Sequence, residues 1–547
     1  MPSASIFPAS NRPVAMGVNG MVASAHPLAS QSGVRMLMAG GNAFDAAVAT
    51  AATLNVAEPY MSGAGGIGIA LVYVAAENRV RALNFSGRAP MAADPEKITA
   101  ADKERGALSA MIPGNVAGWL TLHETYGKLE REQVFAPAIG YADEGVPVTN
   151  LNSRQMSANA ERLAPYPSGK IILDDLGHAP MPGTRLKMPQ LAESFRSIVK
   201  GGLEEYYRGD LARRIVKSNQ ALGGLFSEED LATYIARWQD PISINYRGYD
   251  IFTNPPNSSG FQILQTLKIM EGFDCDDLIF QHPSTVHRFI EAVKLAVTDR
   301  IQYAGHPVKI KAPISGLLSD GYAADRRAQI DESRAAYVSG EHFSNKVAPE
   351  SLITGNPLEF DGGMTTHFAT ADSDGNVVSV TQTLGGAFGS GVAAGDTGIF
   401  LNNMAYWFDL EEGSSNRIGP GREVDFVVAP THTFKDGKFH VSLGTPGSWG
   451  ILQTTPQFLM NFLDFGMNVQ EAIEAPRLRV YTGRHVDMEE RFPAHLRRAL
   501  EDLGHDVSVV EPWSMSVGGA QGIQVDSEAG VFQGGADPRR DGFAIGF

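Results

Sequence analysis

Cysteine is almost absent from this chain of 547 residues, Cys275 being the single one. No internal disulfide can form and no cysteine-based zinc site can be assembled, so Cys275 is expected to be a small buried apolar side chain. Basic charge is short as well: 45 Lys and Arg stand against 61 Asp and Glu, a formal net charge of -16. No basic run reverses that balance, which argues against nucleic acid or an anionic membrane as partner. Uninterrupted apolar runs near the ~20 residues of a membrane span are missing. The opening MPSASIFPASNRPVAMG lacks the charged, apolar and small-residue regions of a secretory signal, and a cytoplasmic location is the expectation. What is present is 43% hydrophobic residues, 59 Gly and 31 Pro, the composition of a globular protein with a large core and many tight turns.

Periodicity and capping signals predict a strand over 21–24, a helix over 28–38 ended by Gly40-Gly41, and a helix over 46–56 capped by Asn42. Small residues dominate that second helix, DAAVATAATLNVA, and suit close packing. A hairpin is expected around Glu77-Asn78. From about 110 to 345 the pattern is mainly helical, with segments at 189–200, 227–237 (Ser227 capping, Asp230 three positions on) and 284–303. The stretch 344–364 is polar, broken by Pro and Gly, and reads as a long exposed loop. Directly after it, THFATADSDGNVVSVTQT reads as two alternating strands joined at Asp374-Gly375-Asn376. Later elements are a strand over 439–443 and helices over 449–462, 468–474 and 493–503.

Several motifs are set aside. Gly63 to Gly68 formally matches GxGxxG, but a helix precedes it and a strand follows, the reverse of a dinucleotide site, so a tight glycine turn is the better reading. There is no P-loop, no HExxH and no GxSxG. His282 and His287 are five apart, which is not ligand spacing, and they read as polar surface or cap residues.

Thr365 carries the chemical signal. A threonine that becomes chain-terminal gains an α-amino group, pKa about 7.7 to 8.0, able to serve as its own general base. A polar loop ending in Gly362-Gly363-Met364 against a strand starting Thr-Thr is a place where a chain can be cut without disturbing a sheet. On the residues alone, Thr-Thr at a strand start is usually just a strand former.

DGGMTTHFATADSDGNVVSVTQT and the FGSGVAAGDTGIFLNN that follows resemble the start of the small subunit of γ-glutamyltransferases. GMVASAHPLASQSGVRMLMAGGNAFDAAVATAATLNV, SGAGGIG, MIPGNVAGW, YYRGDLA, DLATYIARW, EAVKLAVTDR, APRLRV and GGADPRRDGF resemble segments of the same family in the same order, over about residues 15 to 547. The resemblance implies an α/β protein, the four-layer αββα sandwich of N-terminal-nucleophile hydrolases with an added helical lobe. It also implies self-cleavage between Met364 and Thr365 into a large subunit (1–364) and a small subunit (365–547), which remain one intertwined catalytic domain. That product is a heterodimer, with a dimer of heterodimers as a further option. Thr365 is then the nucleophile, Thr383 supports it with Thr381 nearby, and Gly447-Ser448 matches the pair whose N–H groups form the oxyanion hole. The predicted helix start at Trp449 suits that role. No metal and no organic cofactor is expected.

The departures concern the substrate. The family holds the glutamyl α-carboxylate with an Arg and two Ser, and the α-amino group with an Asn, a Gln and an Asp. The aligned positions here are Ser86, Phe426, Val427, Gly385, Met404 and Trp407. At about 1.5–3 kcal/mol for each hydrogen bond to a charged group, losing most of them removes several powers of ten in affinity. Glutathione is therefore not the expected substrate. Arg88 stands two positions beyond the expected Arg and is either a carboxylate partner or part of a structural pair. The leading expectation is an amidase acting on a small non-glutamyl amide, in the manner of cephalosporin acylases or oxamate amidohydrolase. The alternatives are a γ-glutamyl transferase or hydrolase with a rebuilt pocket, and a non-catalytic scaffold.

Overall fold

A computed structural model describes residues 10–307, 311–337 and 363–547. Most of the loop expected over 344–364 lies outside the described residues. Gly363 and Met364 lie inside them and are already strand, so the strand expected from Thr365 runs Gly363–Asp372. It returns through the expected turn into Val377–Gly386. Gly375 takes φ +90° there, a conformation only glycine adopts without cost, and the Asp372 carboxylate accepts hydrogen bonds from the Asn376 backbone and side chain.

These two strands sit at the centre of a seven-stranded antiparallel sheet. Its order is Phe543–Gly546, Gly20–Ser24, Gly363–Asp372, Val377–Gly386, Ile67–Val74, Arg79–Phe85 and Arg237–Gln239. A second antiparallel sheet runs Ala15–Gly17, Val531–Ala536, Gln521–Asp526, Lys438–Gly444, Thr431–Lys435, Tyr249–Thr253 and Ile242–Tyr246. Both sheets thus combine strands from before and after Met364.

Strand alternation explains the layers. On Gly363–Asp372, Thr366, Phe368 and Thr370 face the helices Pro27–Met38 and Ala43–Ala57; Phe368 joins their apolar core and Thr370 Oγ1 donates to the Ala43 carbonyl at 2.7 Å. Ala369 and Ala371 face the other way, and with Phe434, Phe439, Ile523 and Phe532 they fill the space between the sheets. The second sheet is covered outside by Phe261–Glu271, Ile451–Leu463 and Val469–Glu474. Every residue of Ala43–Ala57 is buried, and a Cβ at Gly33 on the neighbouring helix would stand 2.5 Å from Thr50 Oγ1. Small residues allow that approach.

Four expectations need correction. The helix over 227–237 is only Glu228–Ala232; Ser227 and Asp230 form its capping box, but Arg237 already belongs to a strand. The middle third contributes three strands to the two large sheets besides its helices, because 237–253 completes one sheet and begins the other, and a two-stranded pair, Val146–Pro147 with Arg185–Leu186, lies apart. Cys275 is exposed, with Arg247 Nη1 donating to its sulfur at 2.7 Å. His282 caps the helix Pro283–Tyr303 as expected, whereas His287 is fully buried against His505. The helix expected over 189–200 ends as expected just before Gly202, whose φ of +60° breaks it, and a second helical run follows to Tyr207. Among the described residues no helix is long and apolar enough to cross a membrane.

Candidate active site

The register between the two central strands slips at the Met364-Thr365 bond. Met364 pairs with Gly385 but Thr365 pairs with Thr383, leaving Leu384 as an extra residue. Such bulges re-aim side chains at functional sites. The Leu384 backbone is satisfied outside the ladder: its N–H donates to the Met61 carbonyl and its carbonyl accepts from Asn403 N–H. Gly385 takes φ +100°. A Cβ there would lie 2.3 Å from Asn403 Oδ1, 3.1 Å from Trp407 Cζ3 and 3.2 Å from Met404 Sδ, so the bulge admits glycine alone.

The bulge brings the Thr383 hydroxyl to the bond that precedes Thr365. Thr383 Oγ1 donates to the Met364 carbonyl oxygen at 2.5 Å, accepts from Gly385 N–H at 2.7 Å, and lies 3.3 Å from Thr365 Oγ1. Its one proton is committed to the carbonyl, so the Thr365 hydroxyl is the donor of that last pair. The Thr383 hydroxyl proton thus points at the carbonyl oxygen, and the Thr365 hydroxyl is held beside it. Thr365 and Thr383 are both buried.

His367, two residues on and on the face of Thr365, is no ready base. Burial and His432 push it down to about 3, and its Nδ1 is engaged with Thr381 Oγ1 at 2.8 Å. The ring presses on Gly444, where a Cβ would come within 2.2 Å of it. From Gly444 the chain enters GTPGS: Thr445 Oγ1 accepts from Gly519 N–H at 3.0 Å, Gly447 and Ser448 take φ +137° and +55°, and the turn Ser448–Gly450 packs on the strand Gly363–Asp372. The helix expected from Trp449 begins as this 3₁₀ turn and continues as Ile451–Leu463.

Of the six positions aligned with the family's glutamyl pocket, Gly385, Met404 and Trp407 converge, the latter two filling the space beside the glycine. Phe426 and Val427 share one apolar core with Met404 and Trp407. The Trp407 indole N–H is buried without a hydrogen-bond partner among the described residues. Ser86 turns to Asn257, accepting from its Nδ2 at 3.1 Å. Arg88 turns to the end of the helix Glu228–Ala232, donating from Nη2 to the Asp230 carbonyl at 3.0 Å and Thr233 Oγ1 at 2.5 Å.

Two features escaped the sequence reading. Arg300 and Asp425 form a buried pair at 2.6 Å next to Phe426, the guanidinium lying 4.0 Å over the Trp449 ring; the signal was Arg300 inside EAVKLAVTDR. Glu58 is buried against Thr366. One group of metal-ligating type occurs among the described residues, His287, Glu291 and His505. Lys294 Nζ stands 2.8 Å from Glu291 Oε1 and already gives that carboxylate its counter-charge.

The family description Gamma-glutamyltranspeptidase matches residues 29–547. The chain is 37% identical over 541 residues to the glutathione hydrolase-like YwrD proenzyme of Bacillus subtilis, covering 97% of this chain and 99% of that one. It is 36% identical over 560 residues to the acylase ACY 1 proenzyme of a Pseudomonas species, covering 100% and 96%. The crystal structure of cephalosporin acylase from Bacillus halodurans superposes with a TM-score of 0.88 at 35% identity, covering 100% of this chain and 99% of that one. With its threonine pair, its bulge and these relatives over the full length, the chain belongs to the γ-glutamyltranspeptidase family.

Proposed function

We propose that the chain is a precursor that cuts itself between Met364 and Thr365 and then hydrolyses a non-glutamyl amide through an acyl-enzyme on Thr365. The observation that carries this reading is the Thr383 hydroxyl, shared between the Met364 carbonyl and the Thr365 hydroxyl. In the first stage Thr365 Oγ1 attacks the Met364 carbonyl carbon and the amide nitrogen departs as a new α-amino group, leaving an ester. Water hydrolyses the ester to give 1–364 and 365–547. In turnover the α-amino group takes the hydroxyl proton as Oγ1 attacks the substrate amide, and the proton passes to the leaving amine. The Gly447 and Ser448 N–H groups would hold the oxyanion. Two facing sheets between helices support the αββα sandwich of N-terminal-nucleophile hydrolases.

The acyl preference follows from the pocket. A glutamyl ammonium would meet Met404 and Trp407 where the family has Gln and Asp, and burying an unpaired charge costs several kcal/mol. An apolar or aromatic acyl group without a free α-amino group is the better fit, in keeping with the acylase names among the relatives. A γ-glutamyl hydrolase is the second reading, favoured by the glutathione hydrolase-like relative. Matched anilides of glutamate, glutarate and plain aliphatic or aromatic acids separate the two by kcat/KM. Fastest release from an aliphatic or aromatic anilide is expected, and fastest release from the γ-glutamyl compound overturns the pocket reading.

A further inference from the structure

Glu58 ends the helix Ala43–Ala57 and is 1% exposed. A carboxylate is ill-placed there, since the C-terminal end of a helix carries partial negative charge. Its Oε2 accepts a hydrogen bond from Thr366 Oγ1 at 3.2 Å, while Oε1 is buried without a hydrogen-bond partner among the described residues. Thr366 follows the nucleophile and faces the opposite side of the sheet. The residues after Glu58 grip the other central strand: the Tyr60 carbonyl accepts from Phe388 N–H, the Met61 carbonyl from Leu384 N–H, and Ser62 Oγ from Gln382 Nε2. The stretch 58–62 therefore holds both strands at the bulge.

We propose that Glu58 is a positioning residue for the nucleophile, fixing its strand through Thr366 and biasing, by its charge, the protonation of the α-amino group that cleavage creates. This rests on the self-cleavage reading above. The electrostatic surroundings put the carboxyl on the edge of ionisation. Burial pushes it up to about 7; Arg540 opposes this and Asp541 adds to it, both from the turn before the last strand, and the Thr366 hydroxyl favours the ionised form. Tyr60 beside it is held neutral well above its ordinary range by burial, with Glu58 and Asp541 adding to the shift and Arg540 and Arg154 opposing it. His26, facing Asp541 at the start of the first helix, is driven down to about 4 by burial and is uncharged near neutrality. Glu58 reaches the residue next to Thr365 through one hydrogen bond, and an anion favours the charged form of a neighbouring ammonium. Ionised Glu58 thus favours the protonated α-amino group, which cannot act as base.

The test is the pH profile of kcat/KM for the best anilide, measured on wild type, Glu58→Gln and Thr366→Val after denaturing gels show two chains. Glu58→Gln removes the anion and should move the acid limb down by about half a pH unit or more. Thr366→Val removes the hydroxyl that favours ionisation and should move it the same way by less. A limb unmoved in both variants, with only a uniform loss of rate, makes Glu58 merely structural and overturns the proposal. If Glu58→Gln does not fold, Thr366→Val decides alone. An uncut wild-type chain is a different result, and counts against the self-cleavage reading itself.

Discussion

At the scale of single residues, Thr383 and Arg88 have opposite fates. Thr383→Val keeps the shape of the side chain but removes the donor to the Met364 carbonyl and the acceptor of Gly385 N–H. Losing one preorganised donor to a reacting carbonyl costs about 10² to 10³ in rate, so the purified variant should convert to 364- and 183-residue chains (547 − 364 = 183) at least tens of times more slowly. Thr365→Ala should stay whole on the same gels; conversion of Thr383→Val at the wild-type rate would contradict the role given to this hydroxyl. Arg88 is committed to Asp230 and Thr233. Arg88→Ala should therefore lower stability by about 1–2 kcal/mol through lost hydrogen bonds, leaving the ratio of glutaryl to aliphatic kcat/KM unchanged. A selective loss of the glutaryl rate would return Arg88 to the pocket.

At the scale of elements, the bulge is what the fold adds to the two strands. Gly385→Ala meets two penalties, a left-handed backbone and a Cβ 2.3 Å from Asn403 Oδ1. Gly437→Ala isolates the first: φ is +74° and nothing lies within 4 Å of the added Cβ. That control should lose about 1 kcal/mol. Gly385→Ala should lose more and also slow self-cleavage, because Asn403 and the Thr383 hydroxyl must shift. Equal melting temperatures and equal cleavage rates for the two variants would show that the bulge does not hold the site. Capping boxes at Ser227 and Asn42 were legible because they are local. The bulge was not, since a register slip depends on what the partner strand pairs with.

At the scale of the whole molecule, buried histidines set the response to acid. Burial drives His26 to about 4 and His367 and His432 to about 3, against about 6.5 in an unfolded chain. Between those values the unfolded chain binds protons that the folded one refuses, so stability rises with pH there and falls on acidification. His505, also lowered to about 3, acts with these histidines, while Glu58, raised to about 7, and Asp409, raised to about 6, act in the opposite sense above their unfolded values, two groups against four. The melting temperature should accordingly fall already between pH 7 and pH 5, and a flat curve over that window would refute the account. Both sheets interleave strands from before and after Met364, so cut chains should co-elute on gel filtration until denaturant unfolds them. Separation in native buffer would mean that the interleaving is not what holds the halves.

The order of segments, the nucleophile candidate at Thr365 and the loss of charged partners at Gly385, Met404 and Trp407 are properties of residue identity and spacing, and the sequence alone carries them. Strands over 237–253, the exposure of Cys275, the burial of His287 and the direction taken by Arg88 were decided by tertiary packing, because each depends on which remote surface covers the residue. The pairing of Thr383 with the Met364 carbonyl belongs to the same class. Nineteen residues separate them along the chain, and only a sheet whose register slips by one residue brings the hydroxyl to the bond.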